Sequence, residues 1–260
     1  MLGPIVFLDE VDSTNTYAKD HLNELADGTL VVAARQTAGR GRVGRVWQSP
    51  ENRNIYASYV MKRCPQPFFA TATAGLAVLD TLESFVPAAG FFIKWPNDVY
   101  CRDCKICGIL CESRPAEGGR CMQIVAGMGI NVNMTPEELA AIDQPATSIL
   151  AESGQEINLK KVIEKLAFSL KRRYIIYSNS VDEIFLDWKK ANRLIGQTIS
   201  VITGAGRLSG RVADLAASGE LLLEVNGAIK RIHSGDVHID RDSIDFGRLG
   251  RCEGKTEKFV

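Results

Sequence analysis

One short stretch of the chain, residues 39–47, carries residue types suited to gripping an anion. Its sequence, GRGRVGRVW, holds three glycines and three arginines and ends on Trp47, and no acidic residue occurs between Gly28 and Pro50. Glycine lets a backbone pass close to a ligand, and the planar guanidinium of arginine matches phosphate or carboxylate. The indole of Trp47 offers a flat face on which a purine could stack. We therefore expect a loop that closes over an anion, most simply a nucleotide phosphate.

The loop matches neither G-x-G-x-x-G before a helix nor G-x-x-x-x-G-K-[ST], so it is not a Rossmann fingerprint or a P-loop. A run of arginine and glycine is also typical of RNA-binding segments. A non-enzymatic RNA-binding module therefore stays open as an alternative to a nucleotide-binding enzyme.

A second group of polar residues, Ser13, Thr14 and Asn15, precedes a helical pattern. Free backbone N–H groups and the helix dipole make such a position receptive to polar or anionic ligands. The structural alternative is that Asp12 or Ser13 merely caps the helix. Gln36 ends a β-rich run that leads directly into the glycine- and arginine-rich loop.

A third group lies beyond an apolar run that predicts a buried strand. Residues 94–98 read KWPND, and the proline breaks the strand there. Asn97 and Asp98 form either a turn or a site, since both residue types favour turns. Further along, residues 127–133 read GMGINVN, and glycines inside a strand pattern suggest that the backbone approaches something closely.

Four of the seven cysteines have the spacing C-x2-C-x2-C-x3-C of an iron–sulfur run, namely Cys101, Cys104, Cys107 and Cys111. Glu112 stands where that motif expects proline, and the second run of a two-cluster ferredoxin is missing. We therefore expect buried strand and hairpin positions and assign no metal ligand. An odd number of cysteines without a secretion signal further predicts reduced thiols in the cytoplasm.

Composition and charge restrict the class of protein. The 260 residues are 45% hydrophobic and 24% charged, as in an ordinary soluble globular protein. Lysine plus arginine and aspartate plus glutamate each number 31, and a net charge of zero argues against a nucleic-acid coat or a membrane-surface protein. No apolar run is long enough to span a bilayer, and the N-terminus lacks the features of a signal peptide.

The elements that must position these groups are a mixture of strands and helices followed by an all-β end. Apolar periodicity predicts helices over 17–22, 67–86, 136–141, 159–177 and 181–191. Strands are predicted from 91 and over 5–8, 29–36, 54–61, 105–112, 121–126, 198–202, 207–215, 220–225 and 229–232. Turn signals at 218–219 and 226–227 make the last part a small antiparallel barrel or sandwich.

Taken together and in order, these motifs resemble those of the biotin protein ligases: residues 13–15, 39–47, 94–98, Lys105 with 108–110, and 129–131. The resemblance extends over roughly residues 2–239. It implies an α+β fold, a mixed β-sheet with flanking helices like that of class II aminoacyl-tRNA synthetases, followed by a small SH3-like β-barrel. We accordingly expect a catalytic domain at 1–192, an SH3-like domain at 193–240 and a flexible tail at 241–260.

The resemblance also implies a reaction in two steps. Biotin and MgATP would give biotinyl-5′-AMP, and a lysine of a biotin carboxyl carrier domain would then take the biotinyl group. Many bacterial relatives carry an N-terminal winged helix that binds operator DNA. Because the first predicted strand begins near Ile5, we expect a form without that domain and without specific DNA binding. A lipoate ligase, which shares the fold and the adenylate chemistry, stays open, as does a homodimer.

Residue roles follow from the same resemblance. The residues expected to bind biotin are Ser13, Thr14, Asn15, Gln36, Arg40, Gly41, Arg42, Lys105 and Gly108. The residues expected to bind ATP or the adenylate are Arg42, Arg45, Trp47, Asn97 and Asn131. Lys105 and Arg40 would offset the charge repulsion between a carboxylate and an α-phosphate, and Asp98 would orient the incoming amine. Magnesium would enter with ATP.

Overall fold

The computed structural model describes residues 3–64, 66–116, 122–204 and 206–239. The elements of its larger part are β1 (Ile5–Val11), α1 (Thr14–Asp20), β2 (Leu30–Gln36), β3 (Ile55–Cys64), α2 (Pro67–Phe85), β4 (Phe91–Lys94), β5 (Asp98–Cys101), β6 (Cys104–Pro115), β7 (Met122–Ile130), α3 (Pro136–Ala140), α4 (Ile149–Ser153), α5 (Leu159–Asn179) and α6 (Val181–Ala191). The strands of its smaller part are β8 (Thr198–Thr203), β9 (Gly206–Leu215), β10 (Leu221–Val225), β11 (Ala228–Ile232) and β12 (Asp236–Ile239).

The seven strands of the larger part form one mixed sheet in the order β1-β2-β3-β7-β6-β5-β4. Only the β1–β2 pair is parallel, and every other neighbouring pair is antiparallel. The central strands alternate in the direction of their side chains, so each of them gives one set of residues to each face. The two faces are covered by different helices, which decides where a ligand can reach the sheet.

Helix α2 covers one face of the sheet and is in turn covered by α5 and α6. Proline at its first position fits the start of a helix, because the missing N–H is unpaired there in any case. Small residues allow a close approach: a Cβ at Gly75 would lie only 3.3 Å from Ile93 Cδ1. On the outer side, Arg173 of α5 makes two hydrogen bonds to Asp80 of α2, at 2.7 and 2.8 Å.

Helix α1 packs on the opposite face, but it covers only part of it. Its Ala18 contacts a small apolar cluster that includes Val31, Val60 and Val125. Farther along the same face, β7 presents Gly127 and Gly129 instead of bulky apolar side chains. This combination leaves a recess beside the N-terminal end of α1.

The smaller part is a five-stranded antiparallel sheet in the order β11-β10-β9-β8-β12. This sheet contacts the larger part near the turn after β4, where Trp95 Nε1 donates a hydrogen bond to the Gly219 carbonyl oxygen at 2.8 Å. Gly219 has a φ of +94° and lies against the ring of Phe68, so this turn needs glycine on both counts.

The predicted α+β fold with a mixed sheet and flanking helices is confirmed. The predicted barrel is an open sheet in the described residues, because no pairing joins its outer strands β11 and β12. Helix α1 begins at Thr14 rather than at 17. Strand β7 runs on to Ile130, so the paired glycines of the GMGINVN stretch are inside the strand.

The predicted boundary between residues 192 and 193 falls between α6 and β8 and stays a prediction. The tail predicted at 241–260 lies outside the described residues. No helix in the described part of the chain has the length and apolar character needed to cross a membrane.

Candidate active site

A cleft on the α1 side of the main sheet gathers the site residues predicted from the sequence. Its first chamber is lined by Ser13, Thr14, Asn15, Gln36, Arg40, Gly41, Arg42, Arg45, Trp47, Asn97, Asp98, Lys105 and Gly108, together with Gly127 and Gly129. A second chamber shares Arg42, Arg45, Trp47, Asn97, Asp98, Lys105 and Asp236 with it and adds Asn131 and further residues of the C-terminal sheet, such as Ile202 and Arg207. Every predicted site residue therefore lines one chamber or both.

The neutral end of the first chamber is built where α1 begins. The Thr14 N–H and hydroxyl both reach Gln36 Oε1, at 2.9 and 3.2 Å. The Ser58 hydroxyl of β3 lies 2.8 Å from Thr14 Oγ1 and 2.7 Å from Asn15 Oδ1, and it can donate its one proton to either oxygen. Ser13 occupies the N-cap position, but its side chain makes no capping bond. Buried hydroxyl and amide groups held in this way suit a ligand that is polar and uncharged.

The floor of the first chamber is bare backbone. Gly108 of β6 and Gly129 of β7 are directly opposite each other in the sheet, and the indole of Trp47 lies against both. A Cβ at Gly129 would come within 2.2 Å of Trp47 Cε2, and one at Gly108 within 3.0 Å of Trp47 Cζ3. A Cβ at Gly127 would come within 2.2 Å of Asn15 Oδ1. Glycine is therefore required for the aromatic ring and the amide to approach the sheet.

Lys105 forms the charged centre where the two chambers meet. Its Nζ lies 2.8 Å from Asp98 Oδ1, and both side chains are largely buried. The backbone of Lys105 is held as well, because its N–H donates to the Pro145 carbonyl oxygen and its own carbonyl accepts from the Thr147 N–H. The ammonium group also lies 5.6 Å from the centre of the Trp47 ring. This strand position is thus fixed on both sides before any ligand binds.

The arginines of residues 39–47 are each tied to a different element. Arg40 pairs with Glu112 of β6 at 2.9 Å, Arg42 donates to Asn97 Oδ1 at 2.8 Å, and Arg45 pairs with Asp236 of the C-terminal sheet. The loop backbone closes on itself through an antiparallel bridge between Arg40 and Val46. Its tip includes Val43, which is highly exposed and has a φ of 53° in the left-handed region.

Comparison with known proteins identifies the family. The family model described as "Biotin/lipoate A/B protein ligase family" matches residues 7–131, and a second family model, "Biotin protein ligase C terminal domain", matches residues 194–239. The chain is 35% identical over 246 residues to the bifunctional ligase/repressor BirA of Bacillus subtilis, over 90% of this chain and 74% of that protein. The chain belongs to the biotin protein ligase family.

Two further relatives agree with this assignment. The biotin–[acetyl-CoA-carboxylase] ligase of Mycobacterium tuberculosis is 33% identical over 243 residues, with 88% of each chain covered. The solved structure of the biotin protein ligase from Aquifex aeolicus in complex with biotin and ATP superposes with a TM-score of 0.77 and 30% identity, over 92% of this chain and 99% of that one. The resemblance seen in the sequence, and the class of ligase it implies, are therefore confirmed, while the role of each residue stays a prediction.

Two site residues of this ligase family member are not evident from its motifs. Ser58 lies within an apolar strand, and Glu112 follows the Gly108-Ile109-Leu110 motif, so both look like sheet positions. The alternation of side-chain direction along β6 could have indicated Glu112, because residues 108, 110 and 112 share the face that points toward the cleft. Ser58 gives no comparable signal, since a buried serine in a strand is not unusual.

Glu112 is the most highly connected acid of the site. It accepts from Lys19 at 2.6 Å, from Asn15 at 3.0 Å and from Arg40 at 2.9 Å. Burial raises the pKa of its carboxyl, but the hydrogen bonds from Lys19 and Asn15 and the charge of Arg40 outweigh burial and leave that pKa below its ordinary value. The carboxylate is therefore ionised at neutral pH.

Three cysteines of the run, Cys101, Cys107 and Cys111, lie in or against the core on the α2 side of the sheet. Cys101 and Cys104 are opposite each other in the β5–β6 register, and Cys101 is a free thiol. Cys107 and Cys111 face α2, where Thr71 donates to Cys111 Sγ at 3.2 Å. Burial raises the pKa of the Cys101 and Cys111 thiols to about 12. Cys104 is disulfide-bonded, so the expectation of reduced thiols is wrong for that residue. No metal-binding group of His, Cys, Asp or Glu occurs in the described ranges.

Proposed function

We propose that this protein activates biotin with MgATP and transfers the biotinyl group to a lysine of a biotin carboxyl carrier domain. In the first step a biotin carboxylate oxygen bonds to the α-phosphorus of ATP, and the bond from that phosphorus to pyrophosphate breaks. In the second step the lysine nitrogen bonds to the biotinyl carbonyl carbon, the carbon–oxygen bond to AMP breaks, and the amine releases a proton.

The observation that carries this proposal is the change of polarity along the first chamber. One end offers neutral donors and acceptors from Thr14, Asn15 and Gln36, while the other end offers the ammonium of Lys105 and the loop guanidinium groups. Biotin has the same polarity, with a neutral ureido ring at one end and a carboxylate at the other. A cation at the carboxylate end also offsets the repulsion between that carboxylate and an approaching phosphate.

The nucleotide is assigned to the region that the two chambers share. Trp47 Nε1 is buried and has no hydrogen-bond partner in the described residues, which costs free energy until an acceptor arrives. Asn131 is held nearby because its Nδ2 donates to the Thr147 carbonyl oxygen at 3.0 Å. Arg42 and Arg45 can leave Asn97 and Asp236 for phosphate oxygens, because both partners lie at the cleft wall.

Asn97 supports the loop before the nucleotide binds, and it becomes a contact for the adenylate once Arg42 moves to the phosphate. Its Nδ2 donates to the Ile109 carbonyl oxygen at 2.6 Å and its Oδ1 accepts from Arg42, so both ends of the amide are engaged. Asp98 beside Lys105 orients the amine of the carrier lysine in the second step, and its carboxylate offers the amine a place to release its proton.

The partners follow from this reaction. The carrier domain of a biotin-dependent carboxylase is the protein substrate, biotin and MgATP are the small-molecule substrates, and no membrane partner is involved. We further propose a cytoplasmic enzyme that binds no operator DNA specifically, with a homodimer as an open alternative. A mobility-shift assay with the promoters of biotin genes tests the DNA part, and a salt-resistant, sequence-dependent shift would count against it.

Transfer to an isolated carrier domain tests the proposed function as a whole. With biotin and MgATP present, the carrier should bind streptavidin on a blot, and a carrier whose acceptor lysine is replaced by arginine should not. A lipoate ligase would instead modify a lipoyl domain with lipoate, and an RNA-binding module would modify neither while showing steeply salt-dependent RNA binding.

A further inference from the structure

We infer that Glu112 is a positioning residue for biotin activation, which fixes the Arg40 guanidinium and the Asn15 amide relative to each other at the wall of the first chamber. This inference rests on the proposed function. It adds a residue that the motifs do not single out and that lies behind the chamber wall rather than at its surface.

The contacts of Glu112 connect three separate parts of the chain. One carboxylate oxygen, Oε2, accepts from both Asn15 Nδ2 at 3.0 Å and Arg40 at 2.9 Å. The other oxygen, Oε1, accepts from Lys19 Nζ at 2.6 Å. Asn15 and Lys19 belong to α1, Arg40 belongs to the glycine-rich loop, and Glu112 itself is on β6. A single carboxylate thus sets the distance between the loop and the helix.

The amide of Asn15 can be oriented only one way by these contacts. Its Nδ2 donates to Glu112 and to the Leu110 carbonyl oxygen at 3.0 Å, and its Oδ1 accepts from the Ser58 hydroxyl at 2.7 Å. Because Asn15 is 4% exposed, a rotated amide would leave buried polar atoms unpaired, which is costly. Glu112 therefore determines which atoms of Asn15 can face a ligand.

The charge of Glu112 matters for Arg40 in a similar way. Lys19 and Arg40 are both cations, and without an acid between them they would repel each other and move apart. With Glu112 present the three groups carry one net positive charge, which stays available for an anionic substrate. The guanidinium is half exposed, so its ordering depends on its two partners, Glu112 and the Thr16 hydroxyl at 3.1 Å.

Glu112→Gln is the most direct test, because glutamine keeps an oxygen acceptor for Asn15 and removes the charge that holds Arg40. In biotin-dependent ATP–pyrophosphate exchange, we expect kcat/KM for biotin to fall about three- to ten-fold, as for the loss of one partly exposed ion pair with an ordering role. The KM for ATP should stay unchanged. Glu10→Gln is the matched control, since Glu10 also pairs with an arginine, Arg35 at 2.9 Å, but lies outside the cleft, and it should leave both constants within about two-fold.

A double-mutant cycle separates positioning from a general structural effect. If Glu112 acts through Arg40, then adding Glu112→Gln to Arg40→Ala should cause no further loss in kcat/KM for biotin. If Glu112 only supports the fold, its loss should appear again in full in the Arg40→Ala background. Should Glu112→Gln unfold at a lower temperature, Thr16→Val removes the other partner of Arg40 and should lower the same constant while the KM for ATP stays constant.

The outcomes distinguish this inference from the proposed function. A wild-type protein that exchanges pyrophosphate with biotin, together with a Glu112→Gln variant that does so equally well, would overturn the role of Glu112 and leave the ligase function intact. Independent, multiplicative losses in the cycle would also overturn it. A wild-type protein without any biotin-dependent exchange would reject the proposed function and the role of Glu112 with it.

Discussion

The indole of Trp47 lies on the backbone of Gly129, in a space where any other residue would place its Cβ 2.2 Å from the ring. Trp47 is also the last residue of the loop that carries Arg40, Arg42 and Arg45. A ligand that enters between the loop and the sheet must therefore move this ring or stack on it, so the ring should report binding.

Tryptophan fluorescence should follow that movement. The other two tryptophans, Trp95 and Trp188, are each 1% exposed, and only Trp95 of these two borders the second chamber, so most of a spectral change on adding biotin and ATP should come from Trp47. We expect Trp47→Phe to remove most of the change, while the remaining emission keeps the short wavelength of buried tryptophan. A ligand-induced change of wild-type size in that variant would contradict this placement of the ring.

Gly129→Ala provides the complementary test of the same contact. The added methyl group would displace the indole from β7, so acrylamide should quench Trp47 more strongly even without ligand. A matched Gly204→Ala exchange, at an exposed glycine with no neighbour within 4 Å of its Cβ position and no left-handed φ, should leave the quenching unchanged. Equal quenching in both variants would show that the ring does not rest on Gly129.

Lys105→Gln should cripple adenylate formation in a folded protein. One developing negative charge loses its cation, and the loss of such an electrostatic partner costs on the order of 100-fold or more in rate. Pyrophosphate exchange measures this, and Lys190→Gln, an exposed lysine on α6, is the control for removing a positive charge. Exchange near the wild-type rate in Lys105→Gln would assign the role to another cation.

The acid side of the stability profile should depend on Glu112. Because its pKa is lowered in the folded state, the carboxylate stabilises the fold above its unfolded pKa, and this contribution is lost as pH falls through the folded pKa. Glu112→Gln should therefore lower the Tm at neutral pH, and the difference from wild type should shrink as the solution becomes more acid. A Tm difference that is independent of pH would mean that the charge of Glu112 does not matter for stability.

The cysteine run should hold no stoichiometric iron–sulfur cluster. Cys107 and Cys111 pack against α2, and burial raises the pKa of both thiols, which disfavours the thiolate that binds iron. Protein purified without oxygen should be colourless in the visible range and contain less than one iron per chain by elemental analysis. A brown protein with several irons per chain would overturn this prediction.

Much of this architecture follows from local patterns, but the closest contacts do not. Periodicity places α2 and α5 correctly because their buried stripes are long, and the motif residues converge because they end neighbouring strands. The sequence alone misses Ser58 and Glu112, since their importance depends on strand partners and on α1, which are distant in the chain. The turn signals leave a barrel and a sandwich open at the C-terminus, because they specify hairpins and not the closure of a sheet, and in the described residues β11 and β12 are not paired with each other.

Arg42→Ala tests whether the loop retains the adenylate. Loss of a charge-assisted contact worth about 1.5–3 kcal/mol should shorten the lifetime of biotinyl-AMP on the protein by about 10- to 100-fold. The variant should still form adenylate but release it, and an added non-substrate protein should then become biotinylated on exposed lysines. Arg35→Ala, on β2 and paired with Glu10 outside the cleft, is the control. Adenylate retention equal to wild type would show that Arg42 is not part of the clamp.

The central claim is that the cleft activates biotin with ATP. Its most direct measurement is ATP–pyrophosphate exchange by the wild-type protein with either biotin or lipoate as the only carboxylic acid substrate. The charge and hydrogen-bonding pattern from Thr14 to Lys105 predicts exchange that requires both magnesium and biotin and is at least about 100-fold slower with lipoate, because the buried polar groups at the neutral end would lack partners. Equal exchange with lipoate, or no exchange with biotin at any concentration, would contradict the account.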